Sequence, residues 1–310
     1  MDNSIDIKQF YEISDEEKLR QAKIIYDLNT YEKPASDRPF AVIVIGQPGA
    51  GKSGVMSYTG SQYPTAVSLD IDEFRQFYPR YDELQNKNPE LYSPVTGKFA
   101  TDMIHILTPV LIQNKHNLIL HKTRGDEAII ADTIEPLRAN GYNIIIKVLA
   151  VNHLESKISA LDRSISEREK LNYCRWVLID YHNQQYRTIP LLIDKFEREG
   201  LADVIEVYTR GKEITLPNLE YSTVVNENIL SNPQMITADG MLSVGNYNPK
   251  KYSSSKEALD SERELQVPSI LPGVSERLEK LRVRATKGDE KPYFDEIEEI
   301  AANYKAKINI

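Results

Sequence analysis

Eight consecutive residues, 46–53, form the pattern in this chain with the clearest chemical meaning; they read G-Q-P-G-A-G-K-S. The string fits the phosphate-binding pattern G-x-x-x-x-G-K-[ST] in full. Backbone amides of such a turn form a nest for anions, and the next helix adds its N-terminal dipole. In this pattern the lysine reaches the β- and γ-phosphates of a nucleotide and the hydroxyl binds Mg²⁺. The alternative is a glycine turn beside a surface lysine. The expected nucleotide-binding residues are Gly46, Gln47, Pro48, Gly49, Ala50, Gly51, Lys52 and Ser53.

Two carboxylates, Asp70 and Asp72, follow the short apolar run 65–69. In an open parallel sheet, ligands bind beyond the carboxyl ends of the strands, where a phosphate loop also lies. A small-molecule kinase needs a base near the acceptor hydroxyl at that place. We therefore expect at least one of the two to act in chemistry. The alternative is that Asp70 or Asp72 only caps a helix expected at 73–78.

Three arginines follow the fourth expected strand, where kinases often carry a lid: Arg163, Arg168 and Arg175. A planar guanidinium can hold two phosphate oxygens at once, which suits a transferring phosphoryl group. The alternative is a solvated helix face on which Asp162 and Glu167 pair with the arginines.

The elements that must position these residues alternate between strands and helices. The run F40-A-V-I-V-I45 is apolar throughout, as in a strand buried on both faces. This alternation predicts a parallel sheet with helices on both faces. The five expected strands cover 40–45, 65–69, 117–121, 142–151 and 203–208.

The chain divides into three expected parts. Residues 1–35 are an N-terminal helical segment, in which Ser14 and Glu17 form a capping box for a helix over 14–29. Residues 36–215 are the α/β core, and 216–310 are a helical C-terminal extension whose role the sequence does not indicate.

Composition narrows the classes of partner. The net charge is −8 and the pI about 5.3, which disfavours binding to a nucleic-acid backbone. Cys174 is the single cysteine, so no intrachain disulfide can form. We see no signal-peptide pattern at the start and no apolar run long enough to span a bilayer, so we expect a cytoplasmic protein without a membrane partner.

Several motifs in order resemble the zeta toxins of bacterial toxin–antitoxin systems. The phosphate loop resembles theirs, including its Gln-Pro, and L69-D-I-D-E-F74 resembles their Asp-x-Asp-x-Phe stretch. Arg163 and Arg175 fall on two lid arginines, and His182 and Pro190 follow at similar spacings. The resemblance covers about 40–211.

This resemblance implies a P-loop kinase-like fold and a kinase that uses ATP and Mg²⁺. The acceptor would be a sugar hydroxyl of UDP-N-acetylglucosamine, and its 3′-phosphate would block cell-wall precursor synthesis. Asp72 would be the base, Asp70 and Ser53 would serve the metal, and Lys52, Arg163 and Arg175 would hold the phosphoryl group. A small helical antitoxin protein is the implied partner.

One departure concerns the acceptor. Family members carry Glu-Gly-Thr after the third strand, where this chain has His121, Lys122 and Thr123. Of these only Thr123 is kept, and a donor in place of an acceptor should change which hydroxyls are recognised. A further family glutamate has its expected counterpart in Asp102. His121, Thr123, Asp102 and Asp72 are thus the expected substrate contacts.

Three other functions stay open at this point. The change at 121–124 leaves room for another nucleotide-like acceptor, such as NAD, which some plant-pathogen effectors with a similar core phosphorylate. A catalytically silent nucleotide-binding module is the second, and a polynucleotide kinase, which the charge argues against, is the third.

Overall fold

The structure is a computed structural model that describes residues 11–122, 126–171, 174–209, 221–224, 252–285 and 290–308. A single six-stranded sheet forms its centre, with strand order β2-β3-β1-β4-β5-β6. The first five strands are parallel and β6 runs antiparallel to β5. The strands are β1 (Phe40–Ile45), β2 (Val67–Leu69), β3 (Leu118–Lys122), β4 (Asn143–Ala150), β5 (Val204–Thr209) and β6 (Tyr221–Val224).

All five strands expected from the sequence are therefore confirmed, and so is the parallel sheet. The antiparallel edge strand β6 was not expected, because the pattern after residue 216 carries no clear alternation. Residues of β1 alternate between two apolar clusters: Ala41 and Ile43 belong to one, Val42 and Val44 to the other. Each face of β1 is thus covered, which explains why its six residues are all apolar and buried.

Helices cover both faces of the sheet. The short helix α3 is continued by a 3₁₀ turn over Arg75–Phe77, and a π-helical turn over Ile130–Ile134 leads into α6. The helices are α1 (Asp15–Thr30), α2 (Lys52–Gln62), α3 (Ile71–Phe74), α4 (Tyr81–Lys87), α5 (Pro89–Gln113), α6 (Glu135–Ala139), α7 (His153–Leu171), α8 (Ile179–Arg198), α9 (Ser255–Leu265), α10 (Val267–Ile270), α11 (Val274–Arg284) and α12 (Lys291–Lys307).

Two helix expectations need correction. The helix expected at 73–78 begins at Ile71 and becomes a 3₁₀ turn after Phe74. The helix expected from residue 98 begins at Pro89, where proline suits the first turn because its missing amide hydrogen would have no partner there. That helix also contains Pro94 and Pro109.

The N-terminal cap is confirmed, since the side chain of Ser14 accepts a hydrogen bond from the Glu17 backbone amide at 3.2 Å. The helices expected after residue 255 are also present. Those from Val267 onward pack on the face of α7 that carries Leu154, Ile158 and Leu161, whereas α9 contributes Ala258 and Leu259 to the main core beside the sheet. The three-part division of the chain stays a prediction.

In the described part of the chain, no helix combines the length and the apolar character that crossing a bilayer requires.

Candidate active site

The phosphate loop connects the carboxyl end of β1 to the first residue of α2. Gly49 and Gly51 have φ angles of +76° and +91°, in the left-handed region that favours glycine. A side chain at Gly49 would also place its Cβ 1.9 Å from the Ser156 carbonyl oxygen, whereas one at Gly51 would meet open space. Gly49 therefore lets the loop pack on α7.

Lys52 is buried and lies under its own loop. Its Nζ donates to the carbonyl oxygens of Gly46 at 2.7 Å and Gln47 at 2.9 Å. Burial, and to a smaller extent the nearby Arg163 guanidinium, lower the pKa of Lys52 to about 7 against the opposing effect of Asp72 and Asp70. Negative charge placed beside this ammonium would favour its protonated form.

A cavity of about 390 Å³ opens over the loop. It brings together most of the residues expected from the sequence to do chemistry. These are Pro48, Gly49, Gly51, Lys52, Ser53, Asp72, His121, Arg163 and Arg175. The sequence did not indicate four further lining residues: Ile71, Ser159, Val177 and Tyr181.

The structure gives Asp70 and Asp72 different surroundings. Asp70 caps α3, since its Oδ1 accepts from the Asp72 backbone amide at 2.9 Å and lies 3.5 Å from His121 Nδ1. Burial raises the pKa of Asp70, but these two hydrogen bonds outweigh it and leave the pKa lowered. Asp72 lines the cavity instead.

Two arginines hold the Asp72 carboxylate. Oδ1 accepts from Arg75 Nε at 3.1 Å, and Oδ2 accepts from the guanidinium of Arg175. Burial raises the pKa of Asp72, yet the two guanidinium groups lower it by more, so the carboxylate is ionised at neutral pH. Arg75 is anchored on α5 by donating to Ser93 O and Thr96 Oγ1, both at 2.9 Å.

Glu167 orients the second lid arginine. Its carboxylate accepts from the Arg175 backbone amide at 2.9 Å and from Nε at 2.8 Å. Burial lowers the pKa of Arg175, but Glu167 and Asp72 outweigh it and raise that pKa. Arg175 is thus a fixed cation held between an orienting acid and Asp72.

Arg163 faces the same cavity from α7. Its Nε lies 4.0 Å from Glu167 Oε1, and this buried nitrogen has no hydrogen-bond partner among the described residues. Burial lowers the pKa of Arg163, and the neighbouring Arg175 guanidinium lowers it as well. Two cations held this close in a cavity favour a ligand with several negative charges.

His121 lies at the end of β3 and reaches the cavity. Its Nδ1 faces Asp70, and its buried Nε2 has no hydrogen-bond partner in the described part of the protein. The ring therefore lines the cavity with one buried nitrogen that the described residues leave unpaired.

Other expected residues lie elsewhere. Asp102 lines a separate cavity of about 650 Å³ and pairs with Lys18 at 3.0 Å, so the structure does not bring it to the phosphate loop. Arg168 pairs with Glu290. Thr123 falls outside the described residues.

Gln47 differs from the other loop residues in the direction of its side chain. It is fully buried, and its amide donates to Val151 O at 2.7 Å and to Ser156 Oγ at 3.3 Å. Its side chain therefore serves to support the loop.

A metal would have few protein ligands here. Across the described residues, no three or more His, Cys, Asp or Glu side chains gather in a way that could hold an ion. Mg²⁺ needs only one or two protein groups when substrate phosphates and waters complete its shell. The exposed Ser53 and the Asp72 carboxylate line the same cavity and fit such a site.

Comparison with known proteins gives consistent matches. The zeta toxin family model matches residues 26–220. Toxin PezT of Streptococcus pneumoniae serotype 4 (strain ATCC BAA-334 / TIGR4) is 26% identical over 200 residues, which are 63% of this chain and 78% of that protein. Toxin zeta of Enterococcus hirae is 25% identical over 184 residues, which are 57% of this chain and 63% of that one.

Two solved structures share the fold. One comes from the PezAT chromosomal toxin–antitoxin system of Streptococcus pneumoniae; the match has a TM-score of 0.65 at 20% identity and covers 87% of this chain and 98% of that one. The other is the AvrRxo1-ORF1:-ORF2 complex, with a TM-score of 0.52 at 9% identity, and the match covers 93% of this chain and 85% of that one.

Proposed function

The chain belongs to the zeta toxin family, and from this premise we propose that it is an ATP- and Mg²⁺-dependent kinase that phosphorylates a sugar hydroxyl of a nucleotide sugar. One observation carries the proposal. A phosphate loop with its lysine, an ionised carboxylate and two arginines from the lid region line one cavity of about 390 Å³. Phosphoryl transfer requires little beyond such positioning and charge stabilisation.

The loop amides and Lys52 would hold the β- and γ-phosphates of ATP. Ser53 would contribute its hydroxyl to Mg²⁺, with Asp70 near the metal's water shell. When bound, the metal neutralises charge on the phosphates. Arg163 and Arg175 would contact the transferring phosphoryl group, whose oxygens carry the charge of the transition state.

Asp72 is our candidate for the base. The acceptor hydroxyl would donate its hydrogen bond to this carboxylate while its oxygen attacks the γ-phosphorus. The bond to the β-phosphate oxygen breaks, ADP leaves, and the proton passes to Asp72. Because the pKa of Asp72 is lowered, its role is to orient the hydroxyl and accept the proton late in the step.

The first candidate acceptor is UDP-N-acetylglucosamine at its 3′-hydroxyl, as the family resemblance implies. The toxic effect would then follow from loss of a cell-wall precursor. A small helical antitoxin that covers the nucleotide site is the proposed partner.

His121 supports a second candidate acceptor. Its Nε2, without a partner among the described residues, and the adjacent Lys122 stand where the family has Glu-Gly, which leaves room for another nucleotide-like acceptor such as NAD. The silent-module alternative is less favoured, because the lysine, the base and both arginines converge.

The test is incubation of the protein with ATP, Mg²⁺ and a panel of nucleotide sugars and NAD, read by mass spectrometry. We expect UDP-N-acetylglucosamine to gain one phosphate. If NAD alone gains it, the second acceptor replaces the first. If ATP binds and no panel member is phosphorylated, the protein is a nucleotide-binding module.

A further inference from the structure

Arg263, on α9, is the most deeply buried arginine of the described residues, with 2% of its surface exposed. It lies beyond residue 220, where the match to the family model ends. Its guanidinium donates from one terminal nitrogen to Tyr186 O at 2.9 Å and from the other to Gln47 Oε1 at 3.2 Å. The same guanidinium stacks over the Tyr186 ring at 4.1 Å.

No carboxylate of the described residues lies within ion-pair distance of the Arg263 guanidinium, and Asp260 acts on its pKa only from farther away. The partners of Arg263 are a carbonyl, an amide oxygen and a ring. A buried cation without an adjacent acid carries a desolvation cost, which its hydrogen bonds and ring contact must offset. The residue is therefore best explained by what it holds in place.

What it holds is the side chain of Gln47. This amide uses its nitrogen on Val151 O and Ser156 Oγ and its oxygen on Arg263. Gln47 is thereby fixed to the end of β4 and to α7, and its own carbonyl oxygen accepts from Lys52 at 2.9 Å. A chain of hydrogen bonds thus runs from α9 through Gln47 to the catalytic lysine.

Hydrogen bonds from Asn152 hold the C-terminal end of α9. Asn152 Nδ2 donates to the Arg263 carbonyl at 3.0 Å and to Tyr304 OH at 3.1 Å, and the Asn152 amide donates to Gln266 Oε1 at 3.0 Å. Asn152, which follows β4, therefore binds both α9 and α12. A shift of these helices would also disturb the support of the loop.

We propose that Arg263 is a positioning residue for the phosphate loop and that the C-terminal helices are, through it, part of the nucleotide site. This inference rests on the proposed nucleotide binding, but it concerns the loop in the protein without nucleotide. The planar guanidinium donates to Gln47 and Tyr186 O from two terminal nitrogens while it lies over the Tyr186 ring, a geometry that an ammonium does not reproduce.

The main experiment is hydrogen exchange of the backbone amides of 46–53 in the full chain, without nucleotide. Arg263→Met should speed exchange by about tenfold or more, because a charge-assisted hydrogen bond is lost. Arg263→Lys should recover part of the protection. Arg282→Met is the matched control: Arg282 pairs with Glu298 at 2.8 Å within the C-terminal helices, and its removal should leave the loop unchanged.

A double-mutant cycle separates positioning from general destabilisation. If Arg263 acts through Gln47, then Gln47→Met and Gln47→Met/Arg263→Met should expose the loop amides to the same extent. Additive effects, or equal exchange in wild type and Arg263→Met, would overturn the proposal. Should Arg263→Met fail to fold, Arg263→Lys takes its place in the cycle with the same two outcomes.

Nucleotide affinity adds a second readout. A fluorescent ATP analogue should bind Arg263→Met about tenfold more weakly, with part of the loss restored in Arg263→Lys. Phosphoryl transfer to the acceptor panel is measured separately, on the wild-type protein. Loss of loop protection in Arg263→Met without transfer by wild type would remove the kinase proposal and leave the role of Arg263 standing.

Discussion

Arg175 donates a hydrogen bond to Asp72 across 103 residues of chain, and the pair joins the lid region to the end of β2. The contact gives Asp72 two properties that a base for a hydroxyl needs, a fixed orientation and a negative charge at neutral pH. It also places the cation that would stabilise the phosphoryl group beside the group that would receive the proton. The predictions below depend on this geometry.

Asp72→Asn removes the proton acceptor and keeps the shape of the side chain. We expect phosphoryl transfer to fall by about 10²–10⁴-fold, the usual contribution of a positioned base. ATP affinity should stay within about threefold, because the loop and Lys52 are untouched. The measurement is transfer rate beside binding of a fluorescent ATP analogue. Full transfer by the variant would disprove the assignment of the base.

Arg75→Met removes one of the two guanidinium groups that lower the pKa of Asp72. That pKa should rise, so the acidic limb of the pH–rate profile should move to higher pH. The check is kcat/KM measured from pH 4 to 8. Arg80→Met is the control, since Arg80 pairs with Glu83 at 2.8 Å, and it should leave the limb in place. An unmoved limb in Arg75→Met would mean that Asp72 does not govern it.

The sequence indicates the phosphate loop and Asp72 because each belongs to a local pattern. Eight adjacent residues define the loop, and a strand followed by two acids defines the edge of the site. The five strands could be predicted for the same reason. Burial on two faces requires a mostly apolar run, and β1 and β4 are such runs.

The sequence could not show which acids and bases pair over long distances. The sequence offers Glu167 as a partner of the arginines on a charged helix, but only the fold shows that Arg175 bonds to Glu167 and Asp72 together. Arg263 lies 216 residues from Gln47, in a segment whose composition gives no sign of contact with the loop. Asp102 is a different case: the family resemblance suggested it as a substrate contact, but its helix directs it to another cavity.

Glu167→Gln tests the orienting acid. Glutamine keeps one acceptor but removes the charge, so Arg175 should lose its fixed position and kcat should fall by about tenfold, with a smaller change in KM for ATP. Glu169→Gln is the matched control on the same helix, because Glu169 pairs with Arg284 at 2.7 Å on an exposed surface. Equal kcat values for the two variants would contradict a role for Glu167.

Lys52 should couple nucleotide binding to pH. Its pKa of about 7 in the free protein means that much of it is neutral above pH 7, whereas bound phosphates favour the charged form. Binding above pH 7 must therefore take up a proton, and affinity should fall as pH rises, by at most tenfold per pH unit. Titration calorimetry in two buffers of different ionisation enthalpy measures the uptake. Binding at pH 8 without proton uptake would contradict the lowered pKa.

The lowered pKa of Lys52 also predicts how the stability of the fold depends on pH. The lysine is charged in the unfolded chain up to its ordinary pKa, so between pH 7 and that value the unfolded state binds more protons than the folded state. The free energy of unfolding should therefore rise with pH across this window through Lys52. Lys52→Met should remove that part of the slope, which denaturant titrations at pH 7 and pH 9 can measure. An unchanged slope in the variant would show that Lys52 is not the group responsible.

His121 should determine which acceptor is used. His121 lines the cavity, so His121→Gln alters a polar group beside the acceptor. His121→Glu restores the family residue but places a second carboxylate beside Asp70, whose Oδ1 lies 3.5 Å from the present ring nitrogen. We expect His121→Glu to raise the ratio of kcat/KM for UDP-N-acetylglucosamine over NAD by about tenfold, the size of one hydrogen-bond difference, and His121→Gln to change it less. The ratio is measured by mass spectrometry with both acceptors in one reaction. His116→Gln is the control. The His116 ring lies 3.2 Å from Tyr26 OH and does not line the cavity, so this variant should leave the ratio unchanged. If both His121 variants also leave it unchanged, His121 serves only to hold Asp70 at the start of α3, and another residue selects the acceptor.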